Sequence, residues 1–417
     1  MDLGNGLGHL TYSTLVHPGD TWDDMWTSLT TYVPQVQKRV CPSAPFGVSL
    51  RLSNASASTL VKSKPERDKL KSFLADSNMY LYTVNAFPYG PFKNQIVKKE
   101  VYEPDWSTDA RAVYTMQVAD ILAEMAAPHV QPSIQSPPLG FKPKVTGPEY
   151  VNAFTRHVIS VIAHMVQLEK RTGRTVTLAL EPEPACFLET TEEAVAYFKD
   201  HLYAADSVRS LMTQTGLSKS QAETALRNHL GMVYDICHQA VEYEDIGKSL
   251  QALADAGIPV FKLQEAAALR VPVVTQEIVE AMRPFAETVY LTQTVEMRKG
   301  KMTRYLNLED AFAAVARERL RRRRGQTQRY AERLIGAYAR FHLRNVAVQA
   351  VPHLAPRIAG MHQRRIGQVT QAVAQIHAMS PLALDIPAAA LIDQRAAAVV
   401  GLTATIRARR LLNPGCR

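Results

Sequence analysis

Two acids separated by one residue, each followed by proline, close an apolar run: Leu178-Ala179-Leu180-Glu181-Pro182-Glu183-Pro184. Proline cannot donate to a ladder and biases the residue before it toward extended backbone, so both carboxylates are expected on a stiff turn where a strand stops. A second run, Gly231-Met232-Val233-Tyr234-Asp235-Ile236-Cys237-His238, also ends in an acid and a histidine. A third, Val260-Phe261-Lys262-Leu263, leads into Gln264 and Glu265. His17 and Asn85 stand at the ends of two earlier runs. Oxygen ligands with one nitrogen or amide suit Mg²⁺ or Mn²⁺ better than a closed structural zinc site, Zn²⁺ being the less favoured ion. A divalent ion held by carboxylates can polarise a carbonyl beside a proton-transferring acid, which is the chemistry of sugar isomerases and epimerases. Solvated loop acids are the plain alternative.

Such residues converge only if the strands bearing them are parallel neighbours. The first 312 residues alternate strand-like and helix-like runs. Strands are expected at 10–16, 46–52, 79–84, 132–136, 175–180, 231–236, 260–264 and 289–295. Helices are expected at 21–40, 63–75, 109–125, 149–171, 192–201, 246–256 and 277–282, with an inserted helical pair at 207–229. Thr21 and Ser63 serve as N-caps, and Gly173 and Gly257 as stops. About eight strand–helix units over some 300 residues argue an α/β fold of the closed (β/α)₈ TIM-barrel type. No Gly-rich dinucleotide turn follows the first strand. Tyr89, with Tyr82, Phe87 and Phe92, is expected to be half core and half pocket wall. Cys186 and Cys237 read as small packing residues.

The charge divides the chain. Residues 313–417 carry 18 Arg, no Lys and four acids, for a net +14, which leaves residues 1–312 at −5 although the whole chain is +9. A barrel domain at 1–312 and an atypical Arg-rich, Lys-free segment at 313–417 are the expected parts. An anionic barrel argues against specific nucleic-acid binding, because phosphate neutralisation needs cations near the site. No apolar stretch is long enough to span a membrane. Four scattered cysteines form no CxxC pair and no disulfide framework, which fits a reducing, cytoplasmic setting.

The pattern LEPEP, YDICH and KLQ resembles the xylose-isomerase-like TIM-barrel superfamily. More narrowly, LTYSTLVHPGDTW, FGVSLRLS, YTVNAFPYGPF, VYEPDW, LALEPEP and VYDICHQAVEYED resemble the family of metabolite traffic proteins EboE, over roughly residues 10–310. The resemblance implies a metal-dependent isomerase- or epimerase-like barrel that helps make or export a small polar metabolite. Carried over by position, Glu181 and Asp235 are the first two metal ligands and Gln264 stands at the third. The resemblance makes His238 a substrate-facing partner. The barrel reading itself expects Glu183 or His238 to handle protons and His17, Asn85 and Tyr89 to contact the substrate, a polar residue near the mouth being the plain alternative for His17. Gln264 replaces the usual imidazole, and the family's later motifs, including a final acid-bearing strand, are replaced by the Arg-rich segment. A shifted reading frame and a genuine basic tail both account for that composition. A metabolite-binding barrel without turnover, and an endonuclease-like protein, are the rival readings.

Overall fold

The computed structural model describes residues 1–4, 8–91, 96–286, 288–323, 334–337 and 402–405. Seven parallel strands, β1 (His9–Ser13), β2 (Phe46–Arg51), β3 (Met79–Asn85), β4 (Ser133–Ser136), β5 (Thr177–Leu180), β6 (Leu230–Asp235) and β7 (Val260–Gln264), curl in sequence order into an α/β barrel. Strands β2 to β6 are buried along their whole length, as parallel strands covered on both faces require. Leu50, Leu81, Ile134, Leu178 and Leu180 belong to one apolar cluster shared with the surrounding helices.

Local chemistry places the helices where the sequence predicts them. Helix Trp22–Val40 opens on a reciprocal box, in which the Asp24 N–H donates to Thr21 Oγ1 (3.2 Å) and the Thr21 N–H donates to Asp24 Oδ2 (3.3 Å). Ser63 caps helix Lys64–Asp76, with Pro65 in its first turn. Gly173, at φ 68°, ends helix Pro148–Thr172 in the left-handed conformation that glycine adopts without strain. A further helix, Asn54–Lys62, is absent from the expected set. It starts at the Ser53 N-cap and is short and rich in small residues, with little apolar periodicity.

The expected eighth strand at 289–295 is corrected by the structure. Among the described residues that region supplies β9 (Thr294–Arg298) to a separate antiparallel sheet, with β8 (Leu269–Val271), β10 (Lys301–Tyr305) and β11 (Leu334–Ala337). The cause is a two-residue hairpin. Lys299 and Gly300 both have positive φ (49° and 76°), and Arg298 pairs with Lys301 across the turn. The remaining barrel position is filled by β12 (Leu402–Thr405), antiparallel to both β1 and β7. Among the described residues the barrel therefore has seven parallel strands and one antiparallel strand, not eight strand–helix units. The Arg-rich segment 313–417 is expected from its composition to pack poorly against the barrel; of it the structure describes 313–323, β11 and β12, and most of that expectation lies outside the described residues.

Candidate metal centre at the barrel mouth

Glu181 follows β5 directly, its N–H donating to the Ser136 carbonyl of the neighbouring strand (3.0 Å). Asp235 is the last residue of β6 and caps helix Ile236–Val241, its Oδ1 accepting from the Cys237 N–H (2.9 Å). Gln264 ends β7 and is paired in register with Asp235. These three strand ends bring both buried carboxylates to one amide. Gln264 Nε2 donates to Asp235 Oδ2 and lies 3.4 Å from Glu181 Oε1. His238, fully buried one helical turn after Asp235, completes the group: Nε2 is 3.6 Å from Asp235 Oδ2 and Nδ1 is 3.8 Å from Glu181 Oε1. Nδ1 also lies 2.9 Å from the Pro182 carbonyl, which can only accept, so Nδ1 carries a proton, and whenever the ring is neutral Nε2 is its acceptor nitrogen.

Below this group lie two residues absent from the expected site, Lys262 and Gln135. Lys262 and Gln264 are two apart on β7, so their side chains share a face. The Lys262 ammonium is 1% exposed and donates to Gln135 Oε1 (2.5 Å). Gln135 Nε2 in turn donates to Glu181 Oε2 (2.5 Å) and Gln264 Oε1 (3.2 Å). A cation thus fixes one amide, and that amide fixes the next: Gln264 turns its oxygen to Gln135 and its nitrogen to the carboxylates. Burial pushes the Lys262 ammonium down to about 8, with Glu181 and Asp235 opposing the fall. A lysine in an otherwise apolar strand was the sequence signal for it. For Gln135 there was none, since its role depends on a neighbour more than a hundred residues away.

The other expected residues are dispersed. Glu183 is buried, its Oε1 accepting from Tyr102 OH (2.9 Å) and Gln293 Nε2 (3.0 Å) beneath a stacked Tyr102–Phe141 pair. His17 Nε2 lies 2.9 Å from Tyr12 OH, and its ring stacks on Tyr32 of helix Trp22–Val40. Asn85 ends β3 with its side-chain oxygen accepting from the Phe87 N–H (3.1 Å). Tyr89 meets Tyr114 edge-on, with the Arg111 guanidinium 5.7 Å from its ring. Both rings thus pack against neighbouring aromatic rings.

The donor set at the mouth fits a divalent cation. Two carboxylates are already close enough to share one polar partner. An imidazole that donates its other nitrogen to a main-chain carbonyl is in the form in which histidine binds metals. Asp235, Cys237 and His238 also place one ligand atom each within 4.8 Å of one another.

No protein-family model and no curated protein matches this chain. Among solved structures it is similar to the IolI protein with a binding zinc atom, at 12% identity and TM-score 0.30, over 53% of this chain and 63% of that one. A D-tagatose 3-epimerase-like protein is similar at 13% identity and TM-score 0.36, over 61% of this chain and 74% of its own. A sugar phosphate isomerase/epimerase from Parabacteroides distasonis ATCC 8503 is similar at 11% identity and TM-score 0.30, over 62% and 86%. Likeness at these scores leaves the chemistry to be read from this chain's own residues. Fold and site together define an α/β barrel with a buried cluster of carboxylates and an imidazole at the C-terminal ends of β5 to β7. Among the described residues, no helix is long and apolar enough to cross a membrane.

Proposed function

We propose that this chain is a divalent-metal-dependent barrel of the xylose-isomerase-like type, an isomerase or epimerase of a small polyhydroxy metabolite. The observation that carries the reading is the convergence of Glu181 and Asp235 on Gln264 at three adjacent strand ends, with His238 beside both carboxylates. Glu181 and Asp235 would hold the cation, with Gln264 beside them offering its amide oxygen if the group turns over. When bound, the cation supplies a Lewis acid for a carbonyl or an adjacent hydroxyl. His238, oriented by Pro182, would offer its acceptor nitrogen to the cation, and Glu183, held by Tyr102 and Gln293, is the carboxylate proposed to move the proton. Lys262 and Gln135 keep Glu181 in place. The LTYSTLVHPGDTW, FGVSLRLS, YTVNAFPYGPF, VYEPDW, LALEPEP and VYDICHQAVEYED motifs support the narrower reading, an EboE-like role in making or exporting the metabolite. A second reading, a barrel that binds its metabolite without turnover, is favoured by the hydrogen bonds that engage Glu183.

Calorimetry with Mn²⁺ tests the site. Asp235→Asn should weaken binding on the order of tenfold or more while the fold is retained. Equal isotherms for the two proteins would sink the site as drawn. Exchange of solvent deuterium into the carbon-bound hydrogen next to a carbonyl, followed by NMR over a panel of aldoses and ketoses, separates turnover from binding alone.

A further inference from the structure

The sequence assigns Cys237 to packing, and its apolar neighbours Val241 and Val295 agree with that. Its thiol does something else. Cys237 Sγ donates to Asp235 Oδ1 at 2.9 Å, a partner that a plain packing residue does not need. By contrast, Cys41 donates to the main-chain carbonyl of Ala44 at 3.4 Å. Asp235 is the N-cap of one helix, and Cys237 and His238 are its second and third residues. Their ligand atoms fall within 4.8 Å of one another, and all three residues are buried. Asp235 shows one oxygen to the thiol and the other to Gln264 and His238, so a single carboxylate joins the sulfur to the rest of the mouth.

We propose that Cys237 is a thiolate ligand of the metal centre, which makes this an oxygen, nitrogen and sulfur site selective for Zn²⁺ or Co²⁺ over Mg²⁺ and Mn²⁺. The inference rests on the divalent-metal reading of the mouth and replaces the harder ions expected from sequence. Thiolate is a soft donor that hard, oxygen-seeking cations do not reward, whereas a carboxylate, imidazole and thiolate together match zinc. Binding exchanges the S–H bond for an S–metal bond. One proton would be released to solvent for each metal bound through the thiol.

Cobalt substitution tests this. The full-length protein loaded with Co²⁺ should show visible d–d bands together with a near-ultraviolet sulfur-to-cobalt charge-transfer band. In Cys237→Ser the charge-transfer band should be lost while the d–d bands persist, and the preference for Zn²⁺ over Mn²⁺ in competition should fall. Cys41→Ser and Cys186→Ser should keep the band. If Cys237→Ser does not fold, zinc-edge X-ray absorption on the wild-type chain and on the Cys41→Ser, Cys186→Ser and Cys416→Ser variants decides, with a sulfur neighbour at about 2.3 Å expected in each. Cobalt bound with d–d bands but no sulfur band would overturn Cys237 as a ligand and leave the divalent-metal reading standing. Persistence of the band in Cys237→Ser would do the same, by assigning the sulfur elsewhere. Failure to bind any divalent ion would overturn both.

Discussion

Lys262 is the residue on which the charge of the mouth turns. Two buried carboxylates face one buried ammonium, with Gln135 as the link between Lys262 and Glu181. Lys262→Met removes the donor to Gln135 Oε1 and should cost about 1–3 kcal/mol in the metal-free protein. The same change makes the mouth one charge more negative, so divalent cations should bind more tightly. Melting curves and Mn²⁺ calorimetry on one preparation check both signs, and a variant that loses both stability and metal would show that Lys262 shapes the site rather than its charge. Glu242 offers a pH test. Burial holds its carboxyl up to about 7 despite the Arg304 guanidinium at 2.5 Å, with nearby Glu189 adding to the rise. The folded state therefore binds this proton more tightly than the unfolded chain does. The associated stability is full below about 4.5 and is lost as pH rises through about 7. Glu242→Gln should abolish that loss, so its stability relative to wild type should rise by at most about 3 kcal/mol across the window, as read by urea denaturation at several pH values.

At the scale of elements, β6 is the strand with the least room. A side chain at Gly231 would run into the Pro259 carbonyl and the Phe261 ring of the neighbouring segment. Gly231→Ala should cost about 1–3 kcal/mol. Because β6 carries Asp235, metal affinity should fall with it. A melting temperature equal to wild type would mean that β6 and β7 separate more easily than their pairing implies. The Lys299–Gly300 turn is the corresponding device in the second sheet. The hairpin it closes also sets Arg304 against Glu242, next to the helix that starts at Asp235.

For the whole molecule, the question is how the basic segment belongs to the barrel. If 1–312 is a unit of its own, limited trypsin should leave a fragment near residues 1–315 that stays monodisperse. If β12 closes the barrel against β1 and β7, the same cleavage bares two strand edges and the fragment should aggregate. Size-exclusion chromatography of the digest distinguishes the two. With +14 on 313–417 and −5 on the rest, any binding to DNA or RNA should be non-specific, weakened by salt and lost on truncation. Sequence-selective binding by the truncated chain would overturn that expectation.

Much of this architecture is written locally, and the local part was legible. Seven strands and the helices between them follow from apolar runs, from caps such as Thr21 and Ser63, and from the stop at Gly173, all of which act within a few residues of themselves. The positions of Glu181, Asp235 and Gln264 at strand ends were legible for the same reason, because proline and the ends of apolar runs are near-neighbour signals. What joins them was not. The shared amide of Gln264, the Lys262–Gln135 link and the thiol of Cys237 on Asp235 depend on which strands are adjacent and which face is inward. The fate of 289–298 was likewise a tertiary decision: its β-pattern suits either sheet, and the Lys299–Gly300 hairpin drew its second half into the antiparallel one. Apolar periodicity determines that a segment will be a strand, but only closure of the barrel decides what its side chains will meet.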